Sequence, residues 1–447
     1  SNINLNMSMA DSFSGIASYS FRLNKEKKDK DFTNSKNITY QYEFQDSLDA
    51  QKNEGDNIVA ALTVQDNAGN QSEIKKQYSI DVTNPDIRVS YDTTNASGFY
   101  NQTRIANISI TEKHFNPDGV ELIVIKDRQA AKVPVTFRTS DDIHFTAAIP
   151  FEEDGEYSFT LSVEDKAGNT ANFIENNRFV IDKTKPTMSI SFDNNKALNG
   201  NYYSSSRTAT ITVEEKNFDA SLINLNIQGN ASISSWATDG DIHKAVVSFS
   251  TDGEYSIGGN IVDKAGNQSA MIQPENFVID MSSPEISFLD VVNGKSYNDG
   301  IAPSVSVTDE NYDSTSLTLT GTRYGSHKEL SYGSNETSLG ETFTYNNFAR
   351  KENMDDIYTL VVKAVDKAGN ETSEEISFHV NRFGSTYKFD DYTKDMIKAQ
   401  YVSPSQDFVI IEENVDELQE NGIYYTLNGN VTELVNGKDY TVSSMKN

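Results

Sequence analysis

The sequence predicts an all-β protein, a string of small two-sheet sandwiches joined into an elongated rod. Three observations carry this. A five-residue phrase recurs as D-N-A-G-N from Asp66 and as D-K-A-G-N from Asp165, Asp263 and Asp366, at steps of 99, 98 and 103 residues. That period is too long for a solenoid repeat and suits whole small domains. Short segments alternate apolar and polar residues, as a strand with one buried face does. No stretch of helix length carries a 3.6-residue period, so helices are expected to be essentially absent.

Units two, three and four open on a proline motif: Thr83-Asn84-Pro85, Thr184-Lys185-Pro186 and Ser282-Ser283-Pro284. Proline fixes φ and stiffens a linker or the first residue of an edge strand. The predicted units are 1–81 (lacking its first strand), 82–182, 183–280, 281–381 (with a loop insertion) and 382–447 (partial or small). Ala106, Ile108 and Ile110 face one way, as do Ala209, Ile211 and Val213 one unit later. Tyr157, Phe159, Leu161 and Val163 form a later strand, matched by Tyr358, Leu360, Val362 and Ala364. Ahead of that strand stands D-G-E-Y at Asp154 and Asp252, degraded to D-D-I-Y at Asp355. A tight turn feeding a strand-starting tyrosine matches the tyrosine corner of immunoglobulin-like Greek-key sandwiches.

Composition narrows the function. The chain has no cysteine, which removes disulfides and thiolate metal sites. Its 66 acidic and 38 basic residues give a net charge of −28, disfavouring nucleic acid and anionic membranes and favouring cation uptake. The chain opens on Ser1 and holds no apolar run long enough for a signal or a span. It reads as a piece of a larger protein, with any export signal or wall anchor outside it and no direct membrane insertion.

The order T-x-P, then S-Y or Y-Y, E-K-N-F-D, D-G-E-Y, D-K-A-G-N and F-V-I-D resembles the tandem bacterial immunoglobulin-like repeats of large Gram-positive, gut-type cell-surface proteins. The resemblance covers units two to four almost fully. Unit one, with Ala10-Asp11-Ser12-Phe13-Ser14-Gly15-Ile16, looks like a related module. Unit five carries I-I-E-E-N-V-D from Ile410, echoing V-T-D-E-N-Y-D from Val307, and has no closing D-K-A-G-N.

Strand parity places acids at one pole of each unit. Counting by twos from Leu5 reaches Asp11, and the matching strands of the next three units end at Glu112, Glu215 and Asp309. The Asp opening each repeated phrase obeys the same parity, and the preceding unit's last strand brings Asp81, Asp182 or Asp280. The expected joints are therefore Asp81 with Glu112 and Asp165, Asp182 with Glu215 and Asp263, and Asp280 with Asp309 and Asp366. Clustered carboxylates with a linker carbonyl can bind Ca²⁺. The competing reading is that each Asp caps its own turn, with Gly at positive φ and the following lysine neutralising charge.

Nothing in the sequence points to catalysis. The histidines His114, His144, His243, His327 and His379 never fall at metal or triad spacing. Trp236 and the pairs Phe99-Tyr100 and Tyr202-Tyr203 either stack on a glycan or cover a core or a joint. The stretch from Tyr324 to Phe348 in unit four is a binding loop or a wide hairpin, and Lys25 to Lys30 is a docking patch or a solvated surface. Lys–Asn isopeptide cross-links are a further way to stiffen a cysteine-free rod.

The expected function is that of a non-enzymatic, monomeric stalk or adhesin segment at the bacterial cell surface, with a host extracellular protein or glycan as partner. Two alternatives stand beside it: a specific binder of host glycoproteins, immunoglobulin included, and the accessory stalk of a secreted glycan-degrading enzyme.

Overall fold

Alternating burial along the strands builds each sandwich, and the structure, a computed structural model, describes residues 2–322, 330–346, 348–399, 401, 407–418 and 423–443. Unit one comprises β1 (Asn2–Ala10), β2 (Ile16–Leu23), β3 (Glu26–Asp31), β4 (Gln41–Asp49), β5 (Gly55–Asp66) and β6 (Gln71–Ile80). They form a sheet in the order β3-β2-β5-β6 and a pair β1-β4, sharing a core of Leu5, Phe21, Leu23, Leu48 and Ile58.

Unit two adds the strands that unit one lacks. It runs β7 (Asp86–Tyr91), β8 (Phe99–Tyr100), β9 (Arg104–Thr111), β10 (Val120–Lys126), β11 (Gln129–Val133), β12 (Arg138–Thr139), β13 (His144–Phe151), β14 (Gly155–Glu164), β15 (Thr170–Ile174) and β16 (Phe179–Ile181). One sheet is β12-β13-β9-β7 and the other β11-β10-β14-β16-β8, with β15 also on β14. The short β8 lies parallel to β16, so one segment of chain crosses from the first sheet to the second. Ile108, Ile110, Phe159, Leu161 and Val163 fill the space between the sheets.

Units three and four repeat this plan. Thr187–Phe192 pairs with Arg207–Glu214, and Tyr202–Tyr203 lies parallel to Ile272–Ile279. Glu285–Leu289 pairs with Ser304–Thr308, and Ser296–Tyr297 lies parallel to Glu371–Val380. The tyrosine corner is formed in all three: Tyr157, Tyr255 and Tyr358 hydroxyls donate to the carbonyls of Glu153, Thr251 and Met354, four residues upstream, at 2.8, 2.8 and 2.9 Å. The chain is thus an all-β tandem of immunoglobulin-like sandwiches.

The final segment is built differently. Thr386–Phe389 pairs with Ile410–Glu413, Ile423–Leu427 pairs with Asn430–Leu434, and a helix spans Asp391–Lys398 with Asp390 accepting from Thr393 N at its start. Among its described residues from 386 on, only Thr393 and Val415 are buried. The described residues of this segment, expected to be a partial or small unit, form two two-stranded ribbons and a helix. The accessible surface of the whole chain is 27751 Å². A compact monomer of this mass would expose about 17,000 Å², so the domains are strung out.

Candidate functional site

The acidic poles meet at the boundaries between sandwiches, and each boundary is built from the same parts. The repeated phrase forms a tight turn whose glycine adopts positive φ, between 88° and 95° at Gly69, Gly168, Gly266 and Gly369. Such a backbone favours glycine. Asp263 Oδ1 accepts from Asn267 N at 2.9 Å and its Oδ2 from Asn267 Nδ2 at 2.8 Å. The Asp therefore caps its own turn, and in doing so it aims the Asn amide outward.

That amide crosses the boundary. Asn267 Nδ2 also donates to the carbonyl of Asp182, the last residue of the preceding sandwich, at 2.8 Å. Asn370 Nδ2 does the same to Asp280 O at 2.7 Å, and Asn169 Nδ2 to Asp81 O at 3.3 Å. A second amide grips the side chain of that residue: Asn217 Nδ2 donates to Asp182 Oδ2 at 2.6 Å and Asn311 Nδ2 to Asp280 Oδ2 at 2.8 Å. Glu215 and Asp309 hold these asparagines in place by accepting from their main-chain N–H, at 2.6 and 2.7 Å.

The preceding sandwich grips the linker from the other side. Asp154 accepts from Lys183 N at 2.9 Å and Thr184 Oγ1 at 2.7 Å, and Asp252 accepts from Met281 N at 2.8 Å and Ser282 Oγ at 2.7 Å. The Asp of D-G-E-Y, read from sequence only as a turn residue, is thus a linker clamp. A further seam runs from the loop before β8 and its counterpart. Lys264 Nζ stands 5.8 Å from the Phe99 ring, Lys367 Nζ stands 5.7 Å from the Tyr202 ring, and Asn199 Nδ2 donates to Lys367 O at 2.8 Å. Phe99 and Tyr202 belong to the joints, while Tyr100 and Tyr203 are buried in the cores.

The acids converge unequally. Carboxylate oxygens of Asp182, Glu215 and Asp263 lie within 4.8 Å of one another, as do those of Asp280, Asp309 and Asp366. At the first joint the group within that distance is Asp81, Glu112 and His114, and Asp165, buried at the same joint, shares Asn169 Nδ2 with the Asp81 carbonyl. His114 Nδ1 lies 2.5 Å from Asp81 Oδ2 and Nε2 lies 2.7 Å from Asp56 Oδ1, and Lys113 also pairs with Asp56. Both ring nitrogens of His114 are thereby engaged by carboxylates. At the fourth boundary Asn381 replaces the terminal Asp and donates to Asn414 Oδ1 and Asp416 Oδ2, both at 2.7 Å.

Burial sets the electrostatics. It raises the carboxyls of Glu112, Asp182, Glu215, Asp280 and Asp309 above their ordinary values, with neighbouring carboxylates adding to the effect. Burial alone would lower His114, but its bonds to Asp56 and Asp81 outweigh that and the imidazole is raised. Asp56, held by Lys113 and His114, is lowered to about 2.

Other residues singled out from sequence serve the scaffold. Trp236 packs against Phe218 in the core of unit three, ring centres 5.3 Å apart. Lys27 pairs with Asp29 and Lys28 with Asp46, and Lys30 covers the Tyr42 ring, so the basic run lies on the edge strand β3 with its charge largely spent. Tyr324 and His327 lie outside the described residues. No lysine is among the buried described residues, and an isopeptide bond needs a buried one beside its asparagine. What sequence reading missed was the asparagines, Asn169, Asn217, Asn267, Asn311 and Asn370. The closing Asn of the repeated phrase recurs as regularly as its Asp, and that was the available signal.

Sequence comparison places these units in a family. The bacterial Ig-like domain (group 3) family matches residues 139–235 and 247–381, over half the chain. Further bacterial Ig-like domain families match 82–183 and 204–281. The chain belongs to the bacterial Ig-like domain family and is a tandem of such domains. No curated protein matches it. Among solved structures it is similar to the I67–I69 fragment of titin's I-band, at 10% identity and TM-score 0.34 over 67% of this chain and 99% of that one. It is also similar to invasin, described as a bacterial integrin-binding protein, at 11% identity and TM-score 0.30 over 87% of this chain and 77% of that one.

Proposed function

We propose that this chain is a non-enzymatic stalk segment of a bacterial cell-surface protein, holding its domains in a set order and orientation so that a binding surface is carried away from the cell. The observation behind this reading is the repeated linker clamp. Asp182, Lys183 and Thr184 are each fixed by hydrogen bonds from one sandwich or the other, as are Asp280, Met281 and Ser282. A linker held at both ends resists bending, whereas a Gly/Ser linker would leave the domains free. Small-angle scattering of the whole chain tests it. An extended profile that loses persistence in Asn267→Ala supports a stalk, and a freely jointed profile in the native chain overturns it. Host protein or glycan binding belongs to the same reading and is tested by pull-down with the full chain.

We also propose that the second and third joints bind Ca²⁺. Their donor sets, Asp182 with Glu215 and Asp263, and Asp280 with Asp309 and Asp366, are hard oxygen ligands of the kind Ca²⁺ selects. Three carboxylates this close repel one another unless a proton or cation intervenes. The first joint fits less well, because there Asp81 Oδ2 is already engaged by the His114 imidazole. Calcium titration by calorimetry, with Glu215→Gln as control, decides the matter: saturable binding at two sites, one of them lost in the variant while the third joint's site remains, supports the reading, and no heat from the native chain rejects it.

A further inference from the structure

The first joint departs from its sisters at one position. In the second and third joints the residue two places after the strand-ending acid is an asparagine. Asn217 follows Glu215 and Asn311 follows Asp309, and each donates from Nδ2 to the terminal Asp of the sandwich before it. In the first joint that place holds His114, two residues after Glu112. Its main chain is set as in the sisters. His114 N donates to Glu112 Oε1 at 2.7 Å, and its carbonyl accepts from Lys166 N at 3.0 Å, as the carbonyls of Asn217 and Asn311 accept from Lys264 N and Lys367 N. Only the side chain differs, and it puts an imidazole, the commonest ligand of borderline metal ions, in place of an amide.

The two ring nitrogens stand in different surroundings. Nε2 lies 2.7 Å from Asp56 Oδ1, and Asp56 is itself held by Lys113. A carboxylate on one ring nitrogen fixes the tautomer, orients the ring and raises the basicity of the other nitrogen, as the outer carboxylate of a histidine–metal site does. Nδ1 stands at the terminal residue of the first sandwich, 2.5 Å from Asp81 Oδ2. One donor atom each from His114, Asp81 and Glu112 lies within 4.8 Å of the others. Glu112 is 5% exposed and accepts a hydrogen bond at Oε1, while its other oxygen has no hydrogen-bond partner among the described residues. A carboxylate buried with an unpaired oxygen calls for a cation or a proton.

We propose that the first joint binds a divalent ion of the zinc class through His114 Nδ1, Asp81 and Glu112, and that this ion staples unit one to unit two. Asp81 closes the first sandwich, whereas Glu112 and His114 belong to the second, so a single ion draws ligands from both sides of the boundary. The ion takes the place of the proton between Nδ1 and Asp81 Oδ2, and water fills the remaining position. One imidazole nitrogen with two carboxylates and a water is a ligand set that suits four-coordinate zinc, whereas Ca²⁺ selects a larger shell of oxygens. The joints built on Asn217 and Asn311 offer oxygen ligands only, so the two kinds of joint select different ions. The zinc site stands independently of Ca²⁺ at those joints.

Zinc titration of the full chain by calorimetry, with Ca²⁺ in excess to occupy the carboxylate joints, tests the proposal. Expected is a saturable site in the native chain that His114→Asn removes. That variant carries the residue of the sister joints, so its boundary keeps an amide bond to Asp81 while losing the nitrogen ligand. Asp56→Ala, outside the ligand set, should weaken zinc binding about ten- to hundredfold. X-ray absorption at the zinc edge should show an imidazole in the shell of the bound ion. Zinc binding of undiminished strength in His114→Asn, a bound zinc without an imidazole ligand, or no zinc binding by the native chain would each overturn the proposal. None of these outcomes bears on Ca²⁺ at the second and third joints, which the calcium titration reads separately.

Discussion

Asn267 Nδ2 donates at 2.8 Å both to Asp263 Oδ2 in its own turn and to the main-chain carbonyl of Asp182 in the sandwich before it. One amide thereby ties a turn that shapes one domain to the last residue of another. The relation recurs with Asn370 and Asp280, and more loosely with Asn169 and Asp81.

Asn267→Ala removes both bonds while leaving the sandwich core untouched. Each lost bond is worth about 1 kcal/mol, so unit three should remain folded while the second joint loosens. The expected readout is a broader distance distribution between spin labels in units two and three, with the thermal midpoint of unit three shifted only slightly.

Asp252→Ala should loosen the third joint from the opposite side. It frees Met281 N and Ser282 Oγ together, a loss of roughly 1–3 kcal/mol confined to linker order. Faster protease cleavage near Ser282, with unchanged cleavage near Thr184, would bear this out.

Proton uptake gives a signed prediction for the joints without cation. Burial raises Asp182, Glu215, Asp280 and Asp309. A carboxyl raised on folding binds its proton more tightly folded than unfolded. Its contribution is most favourable below the unfolded values of 3.8 for Asp and 4.5 for Glu, and is lost as pH rises through the folded value. In EDTA, the native joints should gain stability as pH falls through the raised folded values of these carboxyls, and Glu215→Gln should gain less. Equal pH dependence in the two proteins would contradict the assignment.

Calcium reverses the ranking of the same pair. Without cation, Glu215→Gln relieves repulsion and should melt at or above the native chain. With saturating Ca²⁺ the native chain should melt higher, since the variant has lost a carboxylate ligand. Calorimetry in EDTA and in Ca²⁺ reads both arms.

A last prediction concerns two equivalent arginines. Arg207 stacks 3.6 Å from the Phe192 ring and pairs with Glu275 at 2.8 Å. Arg104 stacks 3.6 Å from Tyr91, whose hydroxyl takes the equivalent Glu175, and Arg104 Nε is left buried without a partner. Tyr91→Phe should free Glu175 for Arg104 and leave stability unchanged or raised, where loss of an ordinary buried hydroxyl bond costs about 1 kcal/mol. Chemical denaturation of the native and variant chains distinguishes the two.

Much of the fold was legible because β structure has a local signature. Ile108 and Ile110, or Phe159 and Leu161, announce a buried face by alternation alone, and Tyr157 after Asp154-Gly155 announces its corner. The converging acids were legible for the same reason, since parity carries from Val213 to Glu215. The final segment was less so: Asp390 capping a helix over Asp391–Lys398 depends on a local competition that eight residues barely bias.

The sequence by itself determined the repeat, the strand parity and the placing of Asp182, Glu215 and Asp263 at one pole, because each follows from a period of two along a single strand. Only the tertiary structure decided what those acids face. Asn217 and Asn267 reach Asp182 across 35 and 85 residues of chain, and His114 at the first joint bonds to both Asp81 and Asp56. Hydrogen bonds between residues so far apart depend on how whole domains abut, which no local pattern encodes.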